Sequence, residues 1–230
     1  MHSSIVENWS RSAPVSPWVT LGIIGFCLLL TLVVSLIPEL QRQNLISMLG
    51  FIPASIYALL QQSWLSWFSQ GALSLATSVF IHASWAHLIG NLAFLLIFGV
   101  SVERRLGHWG FLALFILGGA LTNAFIAIEL QDMQTPIIGA SGSVSIVIGA
   151  YLGLFPRGRI GLYLPLGLYL QFARLPAVLV IGSWFTLQLL YTVFGPINSK
   201  VAWWTHITGF AVGLMVAIFV HLVNLIVKAR

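Results

Sequence analysis

Charged residues are scarce in this sequence. They make up 7% of its 230 residues, whereas 59% are hydrophobic and the mean hydropathy is +0.99. Soluble domains carry about a quarter charged residues. The scarcity of charge therefore excludes an ordinary soluble enzyme and places most of the chain in a lipid bilayer.

Cysteine is nearly absent and acidic residues are few. Cys27 is the one cysteine, which excludes a disulfide framework and a cysteine-based metal site. Five acidic residues stand against ten Lys and Arg, giving a net charge of +5. A positive charge can indicate nucleic acid, but here the basic residues fall in short segments between apolar runs. We therefore predict no nucleic-acid partner.

Apolar runs of about 20 residues, the length that crosses a bilayer as a helix, recur along the chain. They predict an all-α fold, a polytopic membrane bundle of six transmembrane helices. A cytoplasmic tail over residues 1–17 precedes one membrane domain over residues 18–230. The first span is too long for a signal peptide and is predicted to be retained. The predicted spans are residues 18–37, 85–102, 109–130, 137–155, 175–194 and 203–227.

The basic residues predict the orientation, because cytoplasmic loops of membrane proteins are enriched in Lys and Arg. With the N-terminus inside, eight of the ten lie in cytoplasmic segments and two outside. Both termini are therefore predicted to be cytoplasmic. The eight are Arg11, Arg104, Arg105, Arg157, Arg159, Arg174, Lys228 and Arg230, and the two are Arg42 and Lys200.

Two connectors between the spans are long. Residues 38–84 contain aromatic and aliphatic side chains, which predict short helices at the outer membrane interface. Residues 156–176 contain three prolines and three glycines and are predicted to be irregular, near the cytoplasmic face.

Polar residues gather where three spans enter the membrane from outside. The second span begins with His87 and Asn91, the fourth with Ser141 and the sixth with His206. All lie within about two helical turns of the outer end, so they can meet in one layer.

Small residues predict which of these spans touch, because close backbone approach drives helix association in lipid. The fourth span repeats small residues every four positions from Ser141, and the sixth does so from Gly209, with His206 on the same face. Packed in register, the two helices bring Ser141 opposite His206. The stripes are Ser141, Ser145, Gly149 and Gly153 in one span, and Gly209, Gly213 and Ala217 in the other.

A serine beside a neutral imidazole is the arrangement that activates a hydroxyl as a nucleophile. Ser141 is the candidate nucleophile and His206 its candidate general base. The start of a helix at Ser141 offers free backbone N–H groups to an oxyanion, and His87 and Asn91, four residues apart, can add side-chain donors. Since the acidic residues lie outside this layer, a Ser-His dyad is predicted, with no metal and no cofactor.

Four motifs in order resemble the rhomboid family of intramembrane serine proteases. They are GALSLATSVFIHASWAHLIGN at 71–91, ERRLG at 103–107, GASG at 139–142 and HITGFAVG at 206–213. The resemblance implies a six-helix core that cleaves peptide bonds in or beside transmembrane helices of protein substrates.

The resemblance also implies residue roles. Ser141 and His206 would form the catalytic dyad, and His87, Asn91 and the Ser141 N–H would form the oxyanion hole. Glu103 and Arg105 would brace the first loop and the cytoplasmic ends. Many relatives carry, four residues after the nucleophile, an aromatic residue that stacks on the histidine, whereas this sequence has Ser145. Family habit suggests a bacterial inner membrane.

Three other functions compete with a serine protease. A catalytically inactive rhomboid-like protein that binds membrane-protein clients is favoured by Ser145. A transporter would also place polar residues inside a bundle. A metalloprotease would use His82, His87 and His206, but His82 and His87 are five apart and share a helical face poorly.

Overall fold

The computed structural model describes residues 16–62, 70–166, 169–194 and 199–229, so most of the predicted tail at 1–17 lies outside the described residues. Helices dominate these ranges. The helices are α1 (Trp18–Leu36), α2 (Glu39–Leu49), α3 (Pro53–Leu60), α4 (Gln70–Thr77, followed by a 3-10 turn at Ser78–Phe80), α5 (Trp85–Phe94, a π-helical turn at Leu95–Gly99, then Val100–Leu106), α6 (His108–Glu129), α7 (Ser141–Leu154), α8 (Ala177–Phe194) and α9 (Ser199–Ala229).

Four helices in the described residues are long and apolar enough to cross a membrane: Trp18–Leu36, Trp85–Leu106, His108–Glu129 and Trp203–Val227. The chain is therefore an integral membrane protein, in which four of the six predicted spans are described as helices long and apolar enough to cross a bilayer. The predicted fourth span, residues 137–155, is a helix of 14 residues, about 21 Å long, against a hydrocarbon core of about 30 Å. It is short because Gly139, at φ +129°, interrupts helical backbone just before Ser141.

A β-hairpin occupies the segment predicted to be irregular, which corrects the all-α prediction. Strand β1 (Arg159–Leu166) pairs antiparallel with β2 (Tyr169–Pro176), with Arg159 opposite Pro176 and Leu166 opposite Tyr169. Leu and Tyr occur in both strands, with Ile in β1 and Phe in β2, and these residues favour this conformation more than the glycines and prolines oppose it. The two ends at Arg159 and Pro176 are thereby brought together between α7 and α8.

Helix α7 lies at the centre of the molecule. Its residues from Gly142 to Tyr151 are all buried, among side chains of α5, α6 and α9. Ser143 donates a hydrogen bond to the carbonyl of Phe115 in α6 at 2.8 Å. Ser141, the first residue of α7, is half-buried at the end of this buried segment.

Glu103 in α5 is completely buried and binds the start of α1. Its carboxylate accepts the backbone N–H groups of Val19 at 3.0 Å and Thr20 at 2.7 Å, and the Thr20 hydroxyl at 2.6 Å. Nδ1 of His108 lies 2.6 Å from Oε1, the oxygen that also accepts the Val19 N–H. Because the first turn of a helix has unpaired N–H groups, Glu103 caps α1 from a neighbouring helix. This structural role agrees with the family expectation for Glu103.

The connector between α1 and α5 contains the short helices that were predicted, α2 and α3, while residues 63–69 lie outside the described part. It is attached to the loop that precedes α7. Phe51 and Ile137 exchange two backbone hydrogen bonds, at 3.2 and 2.8 Å, and Ala54 donates to the carbonyl of Met133 at 3.1 Å. The connector therefore helps to hold the chain that leads to Ser141.

Candidate active site

A cavity of about 730 Å³ opens among the starts of α5, α7 and α9. Its lining includes all four residues singled out from the sequence: Ser141, His206, His87 and Asn91. The volume is within the usual range for small-ligand and substrate sites. These four residues bring a hydroxyl, two imidazoles and a carboxamide to one cavity, whose lining also includes Ser78, Asn123, Thr205 and apolar side chains.

Ser141 is the first residue of α7, and the loop before it is fixed from several sides. Gly139 donates its N–H to the carbonyl of Ser78 at 2.9 Å, and its φ of +129° is a conformation that favours glycine. Helix hydrogen bonding begins with Val144 N–H to the carbonyl of Ala140 at 2.8 Å. The N–H groups of Ser141 and Gly142 lie in the first turn, where the helix supplies no acceptor and the dipole favours negative charge.

The small-residue stripes of α7 and α9 interlock, as the sequence predicted. A methyl group on Gly213 would contact the carbonyl of Ile146, and one on Gly209 would lie 2.5 Å from the carbonyl of Gly142. Methyl groups on Gly149 and Gly153 would likewise meet Phe210 and Ala217. The two backbones therefore touch directly, and their relative position has little freedom.

His87 and Asn91 lie one turn apart on α5. Ser84 caps this helix by accepting the N–H of His87 at 3.2 Å. Asn91 donates one amide hydrogen to the carbonyl of His87 at 3.1 Å, which leaves the second hydrogen of Nδ2 for another acceptor. The ring of His87 lies against Gly139, where a methyl group would approach its Cε1 atom to 2.6 Å. These contacts place the ring of His87 against the loop before Ser141, and Asn91 lines the same cavity.

His82 is buried, with 4% of its surface exposed. Nε2 of His82 accepts the backbone N–H of Ala140 at 3.4 Å, and its ring packs edge-on against His87, with centroids 5.3 Å apart. Burial, and secondly the proximity of His87, lower the pKa of His82 to about 4. The neutral ring can therefore accept a hydrogen bond at pH 7.

Asn123 is a residue that the sequence reasoning missed. It is buried in α6 and donates to the carbonyl of Leu75 at 2.8 Å and to the hydroxyl of Ser78 at 3.1 Å. Since the carbonyl of Ser78 holds the N–H of Gly139, Asn123 fixes the turn that supports the loop before α7. The signal available in the sequence was a carboxamide in the middle of an otherwise apolar span.

In the described part of the chain, no group of three or more His, Cys, Asp or Glu side chains lies close enough together to bind a metal ion. His82 and His87 are neighbours, but Nε2 of His82 is occupied by Ala140. The carboxylate of Glu103 is engaged with α1 and His108.

The fold and this cavity define a polytopic membrane protein with a buried polar site between its helices. The chain belongs to the rhomboid family, since the model of the Rhomboid domain matches residues 69–223. That range includes all four motifs of the sequence resemblance.

Curated relatives agree with this assignment. RHOMBOID-like protein 12, mitochondrial, of Arabidopsis thaliana is 29% identical over 167 residues, which cover 63% of this chain and 46% of that protein. Presenilin-associated rhomboid-like protein A, mitochondrial, of Danio rerio is 31% identical over 94 residues, covering 40% and 24%. Rhomboid-like protein 11, chloroplastic, of Arabidopsis thaliana is 37% identical over 68 residues, covering 30% and 24%. The chain thus spans between a quarter and a half of the length of these relatives.

Proposed function

We propose that this chain is an intramembrane serine endopeptidase that cleaves transmembrane segments of other membrane proteins, with Ser141 as nucleophile and His206 as general base. The observation that carries the proposal is that both side chains line one cavity. Ser141 begins α7 and His206 lies near the start of α9, two helices whose backbones interlock.

The proposed reaction follows from these positions. His206 accepts the hydroxyl proton of Ser141 while Oγ attacks the carbonyl carbon of the scissile peptide bond. His206 then gives that proton to the leaving amine, and the C–N bond breaks to leave an ester on Ser141. A water molecule, deprotonated by His206, hydrolyses the ester and releases the new carboxylate.

The oxyanion formed at each attack needs hydrogen-bond donors. We assign this role to the N–H of Ser141 and to the side chains of His87 and Asn91. The free hydrogen on Asn91 Nδ2 and the position of His87 beside the loop that leads to Ser141 support the assignment. Removing one such donor costs about 3 kcal/mol of transition-state stabilisation. Asn91→Ala should therefore lower kcat about a hundredfold with a smaller effect on KM.

Covalent labelling is the direct test. A fluorophosphonate probe, followed by peptide mapping, should modify Ser141, and Ser141→Ala and His206→Ala should each abolish cleavage of a single-span substrate in detergent or liposomes. EDTA should have no effect. Ser183→Ala is the matched control, since Ser183 is exposed on α8 and should be dispensable. Labelling at another residue, or cleavage by Ser141→Ala, would refute the proposal.

The substrates proposed are transmembrane proteins within the same bilayer. The distribution of basic residues favours both termini on the cytoplasmic side. A bacterial inner membrane is suggested only by family habit, whereas the relatives named above are mitochondrial or chloroplastic. Reporter fusions to each terminus, expressed in bacteria, test the orientation. Reporters active only on the outer side of the membrane would contradict it.

A catalytically inactive member that binds membrane-protein clients is the second candidate. The observation in its favour is Ser145, which stands where many relatives carry an aromatic residue and donates to the carbonyl of Ser141 at 2.7 Å. Clients that co-purify equally well with the wild type and Ser141→Ala, in the absence of any labelling or cleavage, would favour this function.

A further inference from the structure

His206 has no aromatic partner from α7, because the position four residues after Ser141 is Ser145. Ser145 is completely buried, and its Cβ would lie 3.0 Å from a methyl group on Gly209. The tight contact between α7 and α9 is built on these small residues, so a ring at position 145 would have to displace α9. The support for the imidazole must come from elsewhere.

Trp184 of α8 packs against His206 instead. The two ring centroids are 5.4 Å apart, with an interplanar angle of 48°. Trp184 also contacts Phe94 of α5, at a centroid distance of 5.7 Å, and lines the cavity itself. The indole therefore lies between α5 and the imidazole.

The residue next to Trp184 strengthens this arrangement. The ring of Phe185 lies 5.7 Å from Trp203 and 5.2 Å from Phe210, both on α9. These two residues lie about one turn before and one turn after His206. The pair Trp184 and Phe185 thus holds α8 against the part of α9 that carries His206.

Hydrogen bonding leaves the imidazole incompletely fixed. Nδ1 of His206 is buried and has no hydrogen-bond partner among the residues that the structure describes. In a Ser-His-Asp triad, an acid at this atom would orient the ring. Here the packing of the Trp184 ring against His206 is the contact that can orient the imidazole.

We propose that Trp184 is a positioning residue that orients His206 toward Ser141, in the place of the aromatic residue missing at position 145. The inference rests on the proposed protease function. Because the contact joins α8 to α9, the alignment of His206 depends on where α8 lies. Val178, Leu179 and Leu190 are exposed on α8, so lipid or substrate, rather than protein, covers much of this helix.

The test compares Trp184→Ala, Trp184→Leu and Trp184→Phe with the wild type. An aromatic pair contributes about 0.5–1.5 kcal/mol, which corresponds to a change of about 2- to 12-fold in rate. Trp184→Ala and Trp184→Leu should lower both kcat and the rate of fluorophosphonate labelling by about this factor, with KM changed less than about twofold. Trp184→Phe keeps a ring and should retain most of kcat. Leu190→Ala, an exposed change on the same helix, should behave as wild type.

Three outcomes would overturn the inference while leaving the protease function intact. They are full kcat in both Trp184→Ala and Trp184→Leu, a change confined to KM, and a loss in Trp184→Phe equal to that in Trp184→Leu. The leucine variant fills much of the space of the indole, so it remains informative if the alanine variant does not fold. If the wild type takes no label and cleaves nothing, the proposed function fails and this inference fails with it.

Discussion

The imidazole of His87 lies directly against the α-carbon of Gly139, where a methyl group would stand 2.6 Å from Cε1 and 3.0 Å from Nε2. Two features therefore require glycine at this position, the contact with the ring and the φ of +129°. The backbone before Ser141 and the side chain of His87 determine each other's position.

Gly139→Ala should disable the site more than it destabilises the fold. The methyl group must displace His87, and a lost oxyanion donor costs about a hundredfold in kcat. An alanine held at this φ is strained, which lowers the stability of the folded variant by about 1–3 kcal/mol. Cleavage rate and thermal unfolding in detergent measure the two effects. Gly25→Ala is the control, since a methyl group there meets no atom of the described residues within 4 Å. Undiminished cleavage by Gly139→Ala would contradict the assigned role of His87.

Gly213→Ala should separate α7 from α9. The added methyl group would contact the carbonyl of Ile146 and lie 2.7 Å from the N–H nitrogen of Ala150, and overpacking of this kind costs about 1–3 kcal/mol. We expect a lower unfolding temperature and reduced labelling of Ser141. Gly22→Ala, which adds a methyl group in open space within the described structure, should leave both unchanged. Equal unfolding temperatures for the two variants would show that the interlocking is not important for stability.

Glu103→Ala should destabilise the protein by about 3 kcal/mol, because it leaves the N–H groups of Val19 and Thr20 buried without an acceptor. Glu103→Gln keeps one acceptor oxygen and should cost less. Both variants should still cleave substrate at a temperature where they are folded, since Glu103 lies outside the cavity. Loss of labelling in a folded Glu103→Gln would instead place this residue in the catalytic machinery.

His82→Gln should reduce the acid sensitivity of the fold. The pKa of His82 is about 4 in the native state and about 6.5 unfolded, so its contribution is complete above pH 6.5 and is lost as the pH falls toward 4. Full loss amounts to about 3 kcal/mol. The wild type should therefore lose more stability than His82→Gln between pH 7.5 and pH 5, as measured by thermal unfolding. Parallel losses in the two proteins would count against a titrating His82.

The sequence was sufficient for the membrane class and for the meeting of Ser141 with His206 in one cavity. Polar residues in the spans are few, and the small-residue stripes predicted that α7 and α9 pack closely, so residue spacing supported this prediction. The β-hairpin at residues 159–176 was not predicted, because its Gly and Pro residues were taken to indicate irregular structure. The cross-strand pairing of the apolar residues outweighs the effect of those Gly and Pro residues. The contacts of His82, Asn123 and Trp184 depend on tertiary packing and have no periodic signature.

The interlocked glycines of α7 and α9 also determine how the protein can respond to its bilayer. Two helices joined backbone to backbone tilt and shift as one body when the surrounding lipid becomes thinner or thicker. Under the proposed protease function, bilayer thickness should then change which stretch of a passing substrate is level with Ser141, and thus where the substrate is cut, before it changes the geometry of the chemistry.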